Sequence, residues 1–274
     1  MNDLRLALLQ CESRPGDVPL NLRRLDRACR QAAAAGARLL VTPEMFLTGY
    51  DIGRPLAAAL AEPLDGTRAR AVAAIARRHG IAVAFGHPER GPRGEVFNTA
   101  ACVDADGRVL GSHRKTHLFG ELDRRMFSAG AGDEAPFDLH GWKIGLLVCY
   151  DVEFPENVRR LALQGADLVV VPTANMVSFD AVSRHLVPTR AYENQVFVAY
   201  ANFCGTEASL AYNGLSCVAA PDGALLSRAA RRPCLLLADL QRDAVAAQRK
   251  RLGHLELCRE RAQSAAGGPA ARDR

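Results

Sequence analysis

The sequence lacks the features that would mark a membrane or secreted protein. No apolar run approaches the ~20 residues needed to cross a bilayer. The first residues, MNDLRLALLQ, contain no basic segment followed by a long apolar core, so we expect no secretory signal. No interdomain linker or internal repeat is visible either. We therefore expect one domain over residues 1–260 and a flexible tail over 261–274.

Paired cysteines are also missing. The chain has eight cysteines, but none lies in a C-x-x-C pair, the spacing typical of zinc and redox sites. Several lie inside apolar segments such as TAACV and LSCVAA. This pattern favours free thiols in a reducing compartment, and we expect a cytoplasmic protein.

Three motif classes that would indicate other functions are absent. The sequence contains no G-x-G-x-x-G or G-x-x-x-x-G-K-[ST] loop for nucleotides and no G-x-S-x-G elbow for a serine nucleophile. The net charge of +5 arises from arginines scattered over helical segments, with no basic run interleaved with aromatic residues. These absences argue against a nucleotide cofactor, a serine hydrolase of the α/β class and a nucleic-acid partner.

What is present is an alternation of short apolar runs with amphipathic segments. The runs LRLALLQ, IAVAFG and ADLVVVPTA are typical of buried strands, and NLRRLDRACRQAAAAG and PENVRRLALQG have helical spacing. Two further stretches predict β-hairpins with turns at Asp106-Gly107 and Asp222-Gly223. Because crossover units and hairpins occur in one chain, the pattern predicts a mixed sheet covered by helices.

Two histidines have a spacing that is known from metal sites. His113 and His117 are four residues apart in HRKTH, which on a helix would place both on one face. The residues between them include no acidic group, and the segment follows a predicted hairpin strand instead of lying on a helix. We therefore expect no metal site.

A single cysteine occupies an unusual position. Cys149 ends the apolar run of WKIGLLVCYDVEFPENVRRL and is followed by a proline that favours the first turn of a helix. A turn from strand to helix can expose a thiol, and nearby backbone N–H groups can stabilise its thiolate. Cys149 is therefore a candidate nucleophile, and a packed cysteine at a strand end is the alternative.

Two charged residues also follow predicted β segments. Glu44 ends ARLLVTPE and precedes apolar residues, so its carboxyl group should have a raised pKa and could accept a proton. Lys115 follows the first hairpin among aliphatic and aromatic residues, where a fixed cation could stabilise an oxyanion. Either could be an ordinary surface charge. Taken together with Cys149, they predict an active site assembled at strand ends.

The order of the segments TPEMFLTGY, RKTHLFGELD and GLLVCYDVEFPE resembles that of the nitrilase superfamily of carbon–nitrogen hydrolases, over roughly residues 3–245. Within the superfamily, the sequences of these segments are most similar to those of bacterial 5-aminopentanamidases and R-stereoselective amidases. The resemblance implies an α/β fold, a four-layer α-β-β-α sandwich with mixed sheets, in one carbon–nitrogen hydrolase domain. It also implies a homodimer or larger homo-oligomer, a small-molecule amide substrate and no cofactor.

The resemblance further implies roles for individual residues. Cys149 would be the nucleophile, Glu44 the general base, and Lys115 the cation that stabilises the oxyanion. The backbone N–H of Tyr150 would complete the oxyanion site.

Three further positions have alternative interpretations. Glu121 matches a second glutamate of the family that would support Lys115, although Asp123 is near enough to replace it. Glu153 stands where many relatives have an arginine. In carbamoylase members a basic residue just after the cysteine helps to hold a substrate carboxylate, so an acid here could attract an amine. It could instead interact with the dipole of the following helix. Asn175, in VPTANM, could line the pocket or cap a strand end.

The expected reaction is thiol-dependent hydrolysis of a small aliphatic carboxamide to a carboxylate and ammonia, with 5-aminopentanamide as the best single substrate. Other amidase substrates, namely R-stereoselective, omega-amide or N-carbamoyl, stay open. A nitrilase is an alternative, but nitrile-hydrolysing relatives tend to have tryptophan where this chain has Tyr150. A catalytically silent binding or scaffold protein is the non-enzyme alternative, and the intact set of three site residues argues against it.

Overall fold

The computed structural model describes residues 3–266, which form strands and helices in alternation. The strands are β1 (Leu4–Glu12), β2 (Leu39–Val41), β3 (Ala82–Arg90), β4 (Val96–Val103), β5 (Val109–Arg114), β6 (Phe137–Leu139), β7 (Trp142–Leu146), β8 (Leu168–Thr173), β9 (Phe197–Glu207), β10 (Leu210–Asn213), β11 (Cys217–Ala219), β12 (Leu225–Arg228) and β13 (Cys234–Leu240). The helices are α1 (Val18–Ala34), α2 (Gly53–Leu60), α3 (Thr67–His79), α4 (Gly120–Met126), α5 (Pro155–Leu163), α6 (Val187–Asn194), α7 (Arg242–Leu252) and α8 (His254–Ala266).

The strands form two sheets that join at one point. The first sheet has the order β13-β1-β2-β3-β4-β5, and the second has the order β6-β7-β8-β9-β11-β12. They meet where Cys11 of β1 pairs with Phe203 of β9. The remaining strand, β10, pairs antiparallel with the end of β9. In both sheets the central pairs are parallel, as in β1-β2-β3 and β7-β8-β9, and the outer pairs are antiparallel. The predicted mixed sheet is therefore confirmed.

The side chains of each sheet point alternately into two different cores. Leu6 and Leu8 of β1 pack with Val170 of β8 in a core between the two sheets. On the opposite faces, Ala7 packs in a core with α1 and α3, and Val169 packs in another with α5 and α6. Because successive residues of a strand face opposite ways, each of these strands contributes side chains both to the core between the sheets and to a core under the helices. The layers are helix, sheet, sheet and helix, which is the expected α-β-β-α sandwich.

Both predicted hairpin turns are confirmed. Gly107 between β4 and β5 has φ of 76°, and Gly223 between β11 and β12 has φ of 84°. Glycine adopts this left-handed region without the steric cost of a Cβ. The N–H of Gly107 donates to the carbonyl of Asp104 at 2.9 Å, and that of Gly223 donates to Ala220 at 2.8 Å.

The carboxyl-terminal part of the chain continues as a helix. Leu255 of α8 is buried in the core that contains α5 and α6. The helix extends to Ala266, so the first residues of the predicted tail belong to α8, and residues 267–274 lie outside the described residues. Across the described part of the chain, every helix is too short or too polar to cross a bilayer.

Candidate active site

The ends of several strands meet near the junction of the two sheets. Glu44 follows β2, Lys115 follows β5 directly, and Cys149 follows β7. The N–H of Glu44 donates to the carbonyl of Thr173, at the end of β8, at 3.2 Å. Glu44 and Lys115 are both close enough to Cys149 to shift its pKa. The three predicted site residues therefore come together, as expected for strand ends.

The two carboxylate oxygens of Glu44 have different surroundings. Oε1 accepts hydrogen bonds from Nζ of Lys115 at 2.8 Å and from Nδ2 of Asn98 at 2.6 Å. Oε2 is buried and has no hydrogen-bond partner among the described residues. Burial raises the pKa of Glu44, and Asp123 reinforces this effect while Lys115 opposes it. The carboxyl group is thus held through one oxygen, and the other is free to accept a proton.

The backbone of β3 passes directly against Glu44. A Cβ atom at Gly86 would collide with the backbone N of Met45 and lie 2.9 Å from Cα of Glu44. Met45 itself has φ of 51°, a left-handed conformation that turns the chain sharply after Glu44. The absence of a side chain at Gly86 is therefore what allows the loop that carries Glu44 to lie on the sheet.

Lys115 is fully buried between two carboxylates. Its Nζ lies 2.8 Å from Oε1 of Glu44 and 2.7 Å from Oδ2 of Asp123. Asp123 also accepts hydrogen bonds from the hydroxyl of Tyr50 and the N–H of Phe119, each at 2.8 Å. Burial alone would lower the pKa of Lys115, but Glu44, Tyr50 and Asp123 outweigh it and raise that pKa well above its usual value. Lys115 therefore stays a cation.

The expected role of Glu121 is wrong. Its side chain is 70% exposed and contacts Arg124 at 3.7 Å and Arg125 at 3.8 Å. Both acids lie on α4, where successive residues rotate by about 100°, so positions 121 and 123 point to nearly opposite sides. Asp123, the alternative that the sequence left open, is the acid that contacts Lys115.

Cys149 begins a single 3₁₀ turn, Cys149–Glu153, that joins β7 to α5. Its φ of 47° lies in the left-handed region that cysteine seldom adopts. The residue as a whole is partly exposed, although its thiol group is buried. Burial of the thiol and the nearby Glu44 raise the pKa of Cys149 above its usual range, although Lys115 opposes them. The resting group is therefore a neutral thiol, which needs a base to become a nucleophile.

The turn is held by Asp151, a residue that no sequence pattern singled out. Its buried carboxylate accepts a hydrogen bond from the N–H of Val148 at 3.3 Å. It also accepts from the hydroxyl of Thr116 at 2.7 Å, the N–H of His117 at 2.9 Å and Nε2 of His113 at 2.9 Å. The sequence features that could have indicated this role are an acid two residues after Cys149 and the two histidines that flank Lys115.

The two histidines of HRKTH are therefore hydrogen-bond partners of Asp151. His113 lies between two acids, since its Nδ1 is 3.0 Å from Oε2 of Glu134. Burial would lower the pKa of His113, but hydrogen bonds to Asp151 and Glu134 outweigh it and raise the pKa to about 9. A charged imidazole can donate from both nitrogens. Within the part of the chain that the structure describes, no group of three or more His, Cys, Asp or Glu residues could hold a metal ion.

Aromatic rings form an apolar surface beside the nucleophile. The ring of Tyr150 packs edge-to-face with Phe119 at 5.4 Å and with Phe154 at 5.0 Å between centroids. Phe119 in turn contacts Phe179, which reaches solvent, at 5.6 Å. We call these four residues the aromatic rim. It offers a surface for the apolar part of a ligand next to Cys149.

Glu153 ends the turn and is partly buried. The nearby Arg190 donates to the backbone carbonyl of Glu153 at 2.6 Å and to that of Val152 at 2.9 Å, so this cation binds the main chain. Burial raises the pKa of Glu153, while Arg190 and Lys115 oppose the rise. Among the described residues no cation forms an ion pair with its carboxylate. The helix α5, which follows, has no side-chain cap.

Asn175 serves as a cap and not as a pocket residue. Its Nδ2 donates to the carbonyl of Phe179 at 3.0 Å, and its Oδ1 accepts from the N–H of Met176 at 3.0 Å. Its own N–H donates to Oδ1 of Asn202 at 2.8 Å. Because both ends of its side-chain amide bind nearby main chain, the expected substrate contact by Asn175 is not supported.

The family of the chain follows from its similarity to known proteins. The family model described as carbon–nitrogen hydrolase matches residues 5–250. The chain belongs to this family. It is 50% identical over 240 residues to the "Hydrolase in pqqF 5'region" of Pseudomonas protegens, covering 88% of this chain and 84% of that protein. It is 34% identical over 255 residues to an (R)-stereoselective amidase of Pseudomonas sp, covering 92% and 90% of the two chains.

A solved structure extends this similarity to three dimensions. Two structures of the amidase from Nesterenkonia sp. AN1 are 37% identical to this chain, with a TM-score of 0.77, and the match covers 91% of this chain and 98% and 95% of those chains. One variant of that amidase carries acrylamide added at its active-site cysteine, and another was solved in complex with butyramide. The resemblance to the nitrilase superfamily, based on three short segments, is therefore confirmed.

Proposed function

We propose that this chain is a cysteine amidase that hydrolyses a small aliphatic carboxamide to a carboxylate and ammonia. The observation that carries the proposal is the unpaired Oε2 of Glu44, a residue that binds Lys115 through its other oxygen and that, with Lys115, shifts the pKa of Cys149. Leaving a buried acceptor without a donor costs free energy, on the order of 1–3 kcal/mol, and a carboxylate oxygen in this state can bind a proton without losing an existing hydrogen bond. The amidase names and the butyramide complex among the relatives agree with this reaction.

In the first half-reaction, Oε2 of Glu44 takes the thiol proton while Sγ of Cys149 attacks the amide carbon. The electron pair of the carbonyl moves to its oxygen, where Nζ of Lys115 and the N–H of Tyr150 stabilise the charge. The tetrahedral intermediate then collapses and the C–N bond breaks. Glu44 gives its proton to the leaving nitrogen, so ammonia departs and a thioester remains on Cys149.

In the second half-reaction, a water molecule attacks the thioester and Glu44 accepts its proton. The C–S bond breaks, Sγ of Cys149 recovers the proton, and the carboxylic acid is released. The raised pKa of Glu44 suits both directions, because a base with a pKa closer to neutrality also returns its proton readily. Asp123 supports the reaction by keeping Lys115 charged and oriented.

Within this class we propose 5-aminopentanamide as the substrate. Glu153 ends the turn that begins at Cys149, and Arg190, which opposes the rise in its pKa, is already bound to main-chain carbonyls and to Glu193. A protonated amine at the far end of the substrate would supply the missing counter-charge. The aromatic rim would pack against the methylene groups between the amine and the amide.

The nucleophile is tested with Cys149→Ala and Cys149→Ser. Neither variant can form the thioester, so both should lose turnover of aliphatic amides while keeping the fold by circular dichroism. Mass spectrometry of the wild-type protein during turnover should detect an acyl group on Cys149. Pentanenitrile measured beside pentanamide separates a nitrilase from an amidase. Amide hydrolysis by Cys149→Ala would refute the mechanism.

The substrate charge is tested with Glu153→Gln. If the carboxylate binds an amine, the substitution should lower kcat/KM for 5-aminopentanamide by roughly tenfold to a hundredfold, and that for pentanamide much less, because a charge-assisted hydrogen bond contributes on the order of 1–3 kcal/mol. Glu156→Gln is the matched control, since Glu156 lies exposed in the first turn of α5 and shares any dipole effect. Equal losses for both substrates would assign Glu153 a structural role.

A further inference from the structure

We propose that Asp151 is a positioning residue, linked through His113 to Glu134, that fixes the nucleophile turn against the segment carrying Lys115. The inference rests on the proposed function, because it takes Cys149 as the reacting group. Asp151 would touch neither substrate nor reacting atoms. It would act by setting where the thiol and the ammonium group stand relative to each other.

Asp151 binds both main-chain polar groups of Val148, the residue that precedes the nucleophile. Its N–H donates to the carbonyl of Val148 at 3.0 Å, and its Oδ2 accepts from the N–H of Val148 at 3.3 Å. Cys149, between them, has the left-handed φ of 47°. A strained residue of this kind persists only when its surroundings hold it, and Asp151 supplies that hold.

The same carboxylate binds the segment that follows Lys115. Its Oδ1 accepts from the hydroxyl of Thr116 at 2.7 Å and the N–H of His117 at 2.9 Å. Because these are the next residues after Lys115, the position of its main chain depends on Asp151. Thiol and ammonium must act on one carbonyl group at once, and a displacement of about 1 Å can cost about a hundredfold in rate.

His113 extends the link to a second carboxylate. It faces Asp151 from the turn and Glu134 from the segment before β6, at 2.9 and 3.0 Å. Glu134 is itself held by Arg160 of α5, which donates to its backbone carbonyl at 2.7 Å. A neutral imidazole has one N–H and can bind one of the two acids, whereas the charged form binds both. The complete link therefore requires a protonated His113.

Because the link requires a charged His113, it should weaken as the pH rises. The pKa of His113 is raised above its usual 6.5 to about 9, so the link is fully formed below the ordinary value and is lost as pH rises through about 9. Lys115, whose pKa is raised well above 10.5, does not titrate in that interval. Loss of activity near this pH would therefore report on His113.

The experiment compares Asp151→Asn, His113→Gln and a matched control, Asp167→Asn. Asp167 is a buried, ion-paired aspartate at the far end of β8, away from the site. We would measure kcat and KM for butyramide, a neutral amide whose own charge does not change, across the pH range around 9. The rate of alkylation of Cys149 by iodoacetamide would be followed by peptide mass spectrometry.

We expect Asp151→Asn to lower kcat by about a hundredfold with little change in KM, and to slow alkylation of Cys149 by about tenfold. His113→Gln should lower kcat less and remove the alkaline limb that we expect near pH 9 in the wild type. Asp167→Asn should alter the melting temperature without changing the pH profile or the alkylation rate.

Two outcomes would overturn the inference. One is an alkaline limb that persists in His113→Gln. The other is a loss of kcat in Asp151→Asn that merely follows its melting temperature, as in Asp167→Asn. If Asp151→Asn does not fold, His113→Gln decides, because it leaves the carboxylate in place. Failure of the proposed function would look different, since Cys149→Ala would stay active while the alkylation rates still report on the turn.

Discussion

A buried carboxylate lies at each end of strand β8, and the two differ in how many of their oxygens have a hydrogen-bond or ion-pair partner. At the amino-terminal end, Asp167 accepts on Oδ1 from Arg249 at 3.3 Å and on Oδ2 from the N–H of Lys143 at 3.1 Å, and its Oδ2 forms an ion pair with Arg242 at 3.0 Å. At the carboxyl-terminal end, Glu44 is bound to Lys115 and Asn98 through Oε1, while Oε2 has no partner among the described residues.

The contrast shows that burial and pairing with a cation do not by themselves mark a reactive acid. Both carboxylates are buried, and both have a basic partner. They differ in whether an oxygen is left without a donor, because only such an oxygen can take up a proton without breaking an existing bond. The comparison assigns Asp167 to stability and Glu44 to chemistry. A substitution of Glu44 should therefore lower activity and leave stability unchanged, whereas a substitution of Asp167 should lower stability and leave activity unchanged.

The largest effect is expected for Glu44→Gln. The amide keeps an oxygen that can accept from Lys115 but cannot act as a base, so kcat/KM should fall about 10²–10⁴-fold. The melting temperature should stay close to that of the wild type, since a buried charged group has been replaced by a neutral one of the same shape. Ammonia release and a thermal melt measure the two quantities. A variant that loses stability in step with activity would break the comparison.

A smaller effect is expected for Asp123→Asn. Asp123 resembles Asp167 in having both oxygens engaged, yet it lies at the reactive end, against Lys115. Weakening the hold on Lys115 should reduce kcat by roughly tenfold to a hundredfold, about 1.4–2.7 kcal/mol. Glu121→Gln, on the exposed side of α4, is the control and should leave kcat unchanged. Equal effects of the two substitutions would contradict the assignment of the supporting acid.

The smallest change in activity is expected for Asp167→Asn, which should act on stability alone. Replacing the charge removes ion pairs with two arginines whose side chains are 21% and 31% exposed, so solvent partly compensates for the loss. We expect a loss of about 1–2 kcal/mol in the free energy of unfolding, measured by urea denaturation. Turnover per folded molecule should not change. A loss of turnover in the fully folded variant would show that the two ends of β8 are coupled.

Much of the site could be predicted because its members share a local signal. Glu44 and Cys149 each follow a short apolar strand and precede a turn, and Lys115 follows a hairpin whose turn residues are easily recognised. Strand ends in open sheets converge, so residues far apart in sequence could be placed together without knowing the fold in detail.

Other parts depend on orientation, which the sequence does not contain. The choice between Glu121 and Asp123 needs the helical phase of α4, a short helix with no clear apolar period. The groups that bind the carboxylate of Asp151, such as the N–H of His117 and Nε2 of His113, lie 34 to 38 positions away in the sequence. Asn175 has equal potential as a cap or a ligand until its amide partners are seen. The homodimer stays a prediction.

Gly86 has a consequence for how this protein tolerates mutation. Its backbone lies so close to Glu44 that the smallest added side chain would displace the loop. Position 86 therefore has one permitted residue, although glycine has no functional group of its own. The tolerance of a site to substitution is set here by available space as much as by reactivity. A position with no chemistry can be as restricted as the base it faces.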